Sequence, residues 1–132
     1  MILGIDAGRY KVGYAILNND YKVFVKGIIL FDNFKYEFFK LINNYEIKNI
    51  IVGSGTGHNE IVRLIKEVDP DLKVIIVSER NSSVEAKWRY INSLRGIKGL
   101  FYRIIGYADK PIDDISAVII AERYLKEKEK NN

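Results

Sequence analysis

Short apolar segments and the turns between them constrain the fold class of this chain most strongly. Residues 2–6, 12–17 and 23–31 are apolar runs separated by a glycine-containing turn and a polar turn. This pattern predicts an antiparallel meander of three strands.

The second half of the chain alternates helical and strand patterns. Apolar residues recur at helical spacing over 34–42 and 61–68, and apolar runs follow at 50–52 and 74–77. The whole order predicts an α/β domain with a mixed five-stranded sheet. Its first three strands form the meander, the later strands are parallel, and helices cover both faces.

Two further helices are predicted. Ser82 and Glu85 have the capping-box arrangement for a helix that starts near them, and 94–106 is expected to be mostly loop. Asp113 or Asp114 is the expected N-cap of a last helix that frays from residue 126 onwards.

Composition limits the possible chemistry and partners. A chain of 132 residues without cysteine fits one domain, 1–132, and excludes disulfides, thiolate zinc sites and thiol nucleophiles. No apolar run has the length of a signal peptide or a membrane span, so we expect a cytoplasmic protein with no membrane partner. A net charge of +4 modestly favours polyanionic partners such as nucleic acids.

Acidic residues follow or begin predicted elements at separate places in the chain. Asp6 ends the first strand before a glycine turn, Glu79 ends a buried strand, and Asp113 and Asp114 open the last helix. Strand ends of this kind form ligand crevices in α/β sheets, and carboxylates from separate elements can share divalent cations.

Each acidic residue also has an ordinary structural explanation. Asp6 can hydrogen-bond its own turn, Glu79 can pair with Arg80 in solvent, and Asp113 and Asp114 can cap the helix. The coincidence of several elements, rather than any one residue, favours a metal site.

Three segments resemble motifs of the YqgF/RuvX family. They are IDAG at 5–8 followed by KVGYA at 11–15, SERNSSVEA at 78–86, and IDDISAVII at 112–120. The motifs stand in the family's order and span nearly the whole chain.

The resemblance implies a ribonuclease H-like fold and a nuclease site related to RuvC Holliday junction resolvases. It assigns Asp6, Glu79 and Asp113 as catalytic residues and ligands of Mg²⁺ or Mn²⁺ in a two-metal mechanism. Asp114 is a candidate auxiliary ligand, and Ser116 stands where RuvC-type enzymes often carry another aspartate.

A glycine-rich segment departs from the YqgF pattern. Ser54, Gly55 and Thr56 lie in the run GSGTGH, which looks like the corresponding segment of the transcription factors Tex and Spt6, whose domains are regarded as non-catalytic. These three residues are candidate phosphate contacts, and a flexible connection is the alternative. His58 is expected only to begin a helix.

Basic and aromatic residues interleave near the predicted site. Lys11 and Arg80 are the candidate nucleic-acid contacts, because they neighbour the proposed metal ligands. Tyr10, Trp88 and Phe101 have faces that can stack on bases, although Trp88 and Phe101 are expected in the core.

Three functions compete at this point. The first is a metal-dependent endonuclease or exonuclease acting on branched DNA or structured RNA, such as precursor rRNA ends. The second is a non-catalytic nucleic-acid-binding module of the Tex type. The third, an actin-like nucleotide-binding domain, needs two such lobes in one chain. A homodimer is left open, because resolving a two-fold junction requires two active sites.

Overall fold

A computed structural model describes residues 1–78 and 113–130 of the chain. The described sheet has five strands in the order β3-β2-β1-β4-β5. They are β1 (Ile2–Ala7), β2 (Lys11–Leu17), β3 (Val23–Leu30), β4 (Asn49–Gly53) and β5 (Val74–Val77). Strands β1, β2 and β3 are antiparallel, whereas β4 and β5 run parallel to β1. The predicted mixed sheet is confirmed.

Three helices are described, and they cover both faces of the sheet. They are α1 (Phe34–Asn44), which follows a 3-10 turn at Phe31–Asn33, α2 (His58–Val68) and α3 (Asp113–Lys130). Helices α1 and α2 pack on one face and α3 on the other, as predicted.

The face under α1 and α2 holds the larger apolar cluster. Leu3 and Ile5 of β1 are buried there against Phe34 and Phe38 of α1. The two phenylalanine rings stack with centroids 5.3 Å apart. Side chains alternate along a strand, so Ile2, Gly4 and Asp6 of β1 lie on the opposite face of the sheet.

On the opposite face, small residues let helix α3 pack closely against the sheet. Ile2 and Gly4 lie under α3, and a Cβ atom at Gly4 would stand 2.5 Å from the Ala117 carbonyl oxygen. The helix therefore rests directly on the backbone of β1.

Helix α3 runs opposite to β1. Ala117 lies over Gly4, while Tyr124, further along the helix, accepts a hydrogen bond of 3.4 Å from the Asn49 side chain. Asn49 pairs with Ile2 at the start of β1. The first turn of α3 therefore points towards the carboxyl end of β1.

The prediction that the chain frays from residue 126 is wrong, because α3 continues to Lys130. Leu125 is buried against the sheet, and Tyr21 packs on the same cluster, where burial and then the nearby Glu129 carboxylate raise the pKa of its hydroxyl. These tertiary contacts hold the charged end of the helix. The predicted helix near Ser82 and the loop at 94–106 lie outside the described residues.

Within residues 1–78 and 113–130, no helix is both long enough and apolar enough to span a bilayer.

Candidate active site at the carboxyl edge of the sheet

Asp6 lies near the carboxyl end of β1, half-buried on the face that α3 covers. Its partner on β2 is Gly13, and the pairing of Ile5 with Val52 brings Gly53 of β4 beside it on the other side. Both neighbouring residues lack side chains, so neither adjacent strand places a side chain beside Asp6 at this level of the sheet.

The start of α3 lies towards the same end of β1. Asp113 precedes Ala117 by one helical turn, about 6 Å along the axis. Asp6 follows Gly4 by two strand residues, about 7 Å. Because Ala117 lies over Gly4 and the helix runs opposite to β1, the backbone of Asp113 and Asp6 lie towards one edge.

Asp114 has well-defined partners of its own. Its Oδ1 accepts a hydrogen bond of 2.9 Å from the Ile115 amide, and its Oδ2 lies 3.9 Å from Nζ of Lys26 on β3. Strand β3 is two strands away from β1. These contacts draw the carboxylate towards the β3 side, and its role as an auxiliary metal ligand stays a prediction.

Ser116 is buried, with only 1% of its surface exposed. Its hydroxyl has no hydrogen-bond partner in the described part of the chain. At the position where the sequence resemblance pointed to another carboxylate, this chain therefore buries a small neutral group near the start of α3.

The predicted site residues Glu79 and Arg80 lie outside the described ranges 1–78 and 113–130. The chain leading to them is anchored at the same edge of the sheet. The Ser54 amide donates a hydrogen bond of 2.9 Å to the Val77 carbonyl, and Nη1 of Arg123 donates one of 3.1 Å to the Ser78 carbonyl.

No group of three or more His, Cys, Asp or Glu side chains that could hold a metal is found in the ranges 1–78 and 113–130. Of the four predicted ligands, only Asp6 and Asp114 have described side chains. The assignment of Asp6, Glu79 and Asp113 therefore stays a prediction.

The glycine-rich segment forms the loop between β4 and α2 at this edge. Gly57 has a φ of 86°, and a Cβ atom there would lie 3.6 Å from the Gly8 carbonyl oxygen in the β1–β2 turn. Ser54 and Thr56 are exposed. The loop that carries the candidate phosphate contacts thus borders the turn that follows Asp6.

His58 begins α2, as predicted, and it contacts the backbone of this loop. Both its backbone amide and its Nδ1 approach the Gly55 carbonyl oxygen, at 3.2 Å and 2.7 Å. The Ser54 amide is already bonded to the Val77 carbonyl, so it is not the donor for a bound anion.

The β1–β2 turn adds basic and aromatic groups. Lys11 is exposed, and the guanidinium carbon of Arg9 lies 5.5 Å from the ring centroid of Tyr10. Gly8, Arg9, Tyr10 and Lys11 line a cavity of about 250 Å³. The sequence prediction did not name Arg9, although it stands with Tyr10 and Lys11 in the turn that follows β1.

A family model described as "RuvX: Holliday junction resolvase" matches residues 1–127 of the chain. The chain belongs to the RuvX family. This RuvX-family chain is 28% identical to a Helicobacter pylori protein named "Putative pre-16S rRNA nuclease", over 96% of each chain. It is also 28% identical to a Mycoplasma mobile protein of the same name, covering 93% of this chain and 90% of that one.

The fold of this RuvX-family chain is similar to that of RuvC from T. thermophilus, solved in complex with a Holliday junction substrate. The TM-score is 0.57 at 12% identity, and the match covers 91% of this chain and 88% of RuvC. The expected ribonuclease H-like fold is confirmed.

Proposed function

We propose that this chain is a metal-dependent nuclease that hydrolyses phosphodiester bonds in structured nucleic acid. The observation that carries the proposal is the position of Asp6, which lies at the carboxyl end of β1 between two glycine-bearing strands. The first turn of α3 lies towards the same edge, and family membership supports the same function.

The proposed ligands Asp6, Glu79 and Asp113 offer only carboxylate oxygens, the donors that Mg²⁺ and Mn²⁺ prefer. The donor set therefore fits the metal. Two such ions would lower the pKa of an attacking water and stabilise the leaving 3′-oxygen. The polypeptide's own part would be to bring together carboxylates from separate parts of the chain, with Asp114 as an auxiliary group.

Substrate binding is assigned to the residues that the sequence singled out. Lys11 and Arg80 would contact backbone phosphates, because flexible cationic side chains neutralise phosphates without reading sequence. Ser54, Gly55 and Thr56 would approach a phosphate from the loop before α2, where the helix N-terminus favours negative charge.

Precursor rRNA ends are the substrate we favour. The relatives that share 28% identity over most of their length are named for pre-16S rRNA, whereas RuvC shares only 12% with this chain. Branched DNA is the second candidate substrate. We further expect a cytoplasmic location. Sedimentation measures whether the chain forms the homodimer that the sequence leaves open.

A non-catalytic nucleic-acid-binding module is the second candidate function. The loop around Ser54 and Thr56 favours it, because this segment resembles the non-catalytic Tex type more than the catalytic YqgF pattern. Such a module would bind nucleic acid with no cleavage at any metal concentration.

A cleavage panel tests the proposal. Precursor rRNA ends, Holliday junctions and linear duplexes are incubated with and without Mg²⁺ or Mn²⁺, using wild type, Asp6→Asn and Glu79→Gln. Cleavage is expected only with metal, and each variant should abolish it while folding and affinity stay largely intact. Asp71→Asn is the matched control, because Asp71 is exposed in the turn before β5, at the opposite edge of the sheet.

Two results would contradict the proposal. Unchanged cleavage in both active-site variants would overturn the site assignment. Tight binding by the wild type without metal-dependent cleavage of any substrate would favour the non-catalytic module.

A further inference from the structure

We propose that Tyr10, in the turn between β1 and β2, is a stacking platform for an unpaired nucleobase. The inference rests on the proposed function and deepens it, because it specifies a substrate with a single-stranded segment beside the cleaved bond. It concerns binding only, so it can be tested separately from catalysis.

The ring of Tyr10 is unusually open to solvent. It is 71% exposed, the highest value among the exposed large apolar and aromatic residues of the described chain. An isolated exposed aromatic side chain is common on protein surfaces, so exposure alone decides nothing. Three further features suggest that the exposed ring binds a ligand. They are its ordered backbone, the cationic residues beside it and its position relative to Asp6.

The backbone that carries the ring is fixed. The Tyr10 carbonyl accepts a hydrogen bond of 2.9 Å from the Phe31 amide, and Lys11 pairs with Leu30 in the sheet. The turn is tight at Gly8, where a Cβ atom would lie 2.4 Å from the Lys11 carbonyl oxygen. A base that stacks on Tyr10 would therefore meet a ring on an ordered backbone, which lowers the entropy lost on binding.

Two cationic residues flank Tyr10 in the chain. Arg9 lies 5.5 Å from the ring centroid, and Lys11 is exposed next to it along the chain. An aromatic face beside basic side chains is the arrangement that binds single-stranded nucleic acid, with the base on the ring and the phosphates on the cations. Gly8, Arg9, Tyr10 and Lys11 also border a shallow surface depression of about 250 Å³ beside the ring.

The position of the ring relates it to the proposed chemistry. Tyr10 follows Asp6 by four residues, a chain length that spans at most about 14 Å. Stacked nucleotides rise about 3.4 Å each and unstacked ones more, so this span corresponds to only a few nucleotides. A base stacked on Tyr10 would thus belong to the segment that flanks the cleaved bond.

The test measures binding by the full-length chain without divalent cations. The probe is an oligonucleotide carrying one 2-aminopurine, used as a single strand and as the matching duplex. The variants are Tyr10→Ala and Tyr10→Trp. The control is Phe24→Ala, because Nζ of Lys22 lies 5.0 Å from the Phe24 ring centroid and Phe24 is 44% exposed, near the opposite end of the sheet.

Tyr10→Ala is expected to weaken single-strand binding about 5- to 150-fold and to reduce the quenching of 2-aminopurine, while changing duplex affinity less than about twofold. Tyr10→Trp should restore both signals, since its ring also stacks. Phe24→Ala should leave both unchanged.

Equal effects of Tyr10→Ala on single strand and duplex, no effect on either, or failure of Tyr10→Trp to restore binding would each overturn the inference. An equal loss with Phe24→Ala would do the same. Metal-dependent cleavage that is lost in Asp6→Asn would still support the nuclease proposal after any of these results, so the two failures are distinguishable.

Discussion

Gly4 of β1 and Ala121 of α3 are in direct contact, since a Cβ atom built on Gly4 would lie only 2.9 Å from Cβ of Ala121. The same atom would lie 2.5 Å from the Ala117 carbonyl oxygen. The missing side chain lets the last helix settle on the strand that carries Asp6. Gly4 is therefore a structural requirement for the relation between Asp6 and the start of α3.

Gly4→Ala is expected to lower the free energy of unfolding by roughly 2 kcal/mol or more, because the added methyl meets helix backbone that cannot rotate away. Denaturant unfolding measures the loss, and nuclease activity should fall with it. Gly27→Ala is the matched control: its Cβ would meet only the end of the Tyr14 side chain, at 2.9 Å from the hydroxyl oxygen. A Gly4→Ala protein as stable as wild type would contradict the close packing.

Gly57→Ala is expected to cost about 1–2 kcal/mol of stability, because the φ of 86° is unfavourable for a residue with a side chain. A Cβ atom there has ordinary contacts, with Gly8 oxygen at 3.6 Å, so the cost is conformational rather than steric. Gly57→Asn should cost less, since asparagine tolerates this conformation. Thermal unfolding compares the two variants, and equal losses would exclude this explanation.

Lys11→Gln is expected to weaken nucleic-acid binding about equally for all sequences and to reduce the slope of log affinity against log salt by about one. The reason is the loss of one phosphate contact and the counterion it releases. Fluorescence anisotropy at several salt concentrations measures the slope. Lys48→Gln is the control, because Lys48 is exposed just before β4, at the opposite edge. The same slope in wild type and Lys11→Gln would remove Lys11 from the interface.

The free energy of unfolding should fall at alkaline pH because the Tyr14 hydroxyl ionises. Its pKa is raised, first by burial of the hydroxyl and then by the negative charge of Glu37. Below the unfolded value of about 10, the hydroxyl is protonated in both states and its contribution is complete. As the pH rises further, the unfolded chain loses this proton first, so the contribution disappears through the folded pKa.

Unfolding of wild type and Tyr14→Phe, compared between about pH 9 and pH 11, isolates this contribution from those of the other tyrosines. Wild type should lose stability relative to Tyr14→Phe over that range. If the difference in unfolding free energy between the two proteins did not change with pH, Tyr14 would have the same pKa in the folded and unfolded chain.

The sequence predicted the strands, the helices on both faces and the polar edge that carries Asp6. These features follow from local patterns: the strands are short apolar runs bounded by turns, and apolar residues recur at helical spacing in α1 and α2. Turn glycines and the carboxylate after β1 are likewise visible in a short window. The family motifs added the expected partners of Asp6, which periodicity alone does not connect.

Other features required the tertiary structure. The contact of Gly4 with Ala121, the approach of Asp114 to Lys26 and the contact of Gly57 with the Gly8 turn join segments far apart in the chain. The charged end of α3 was predicted to fray, but it is helical to Lys130 because it packs against Tyr21 and the sheet. Local sequence determined which elements form, because hydrogen bonds and side-chain period act over a few residues. Packing alone decided which residues meet, because close contact depends on the shapes that both surfaces present once the chain has folded.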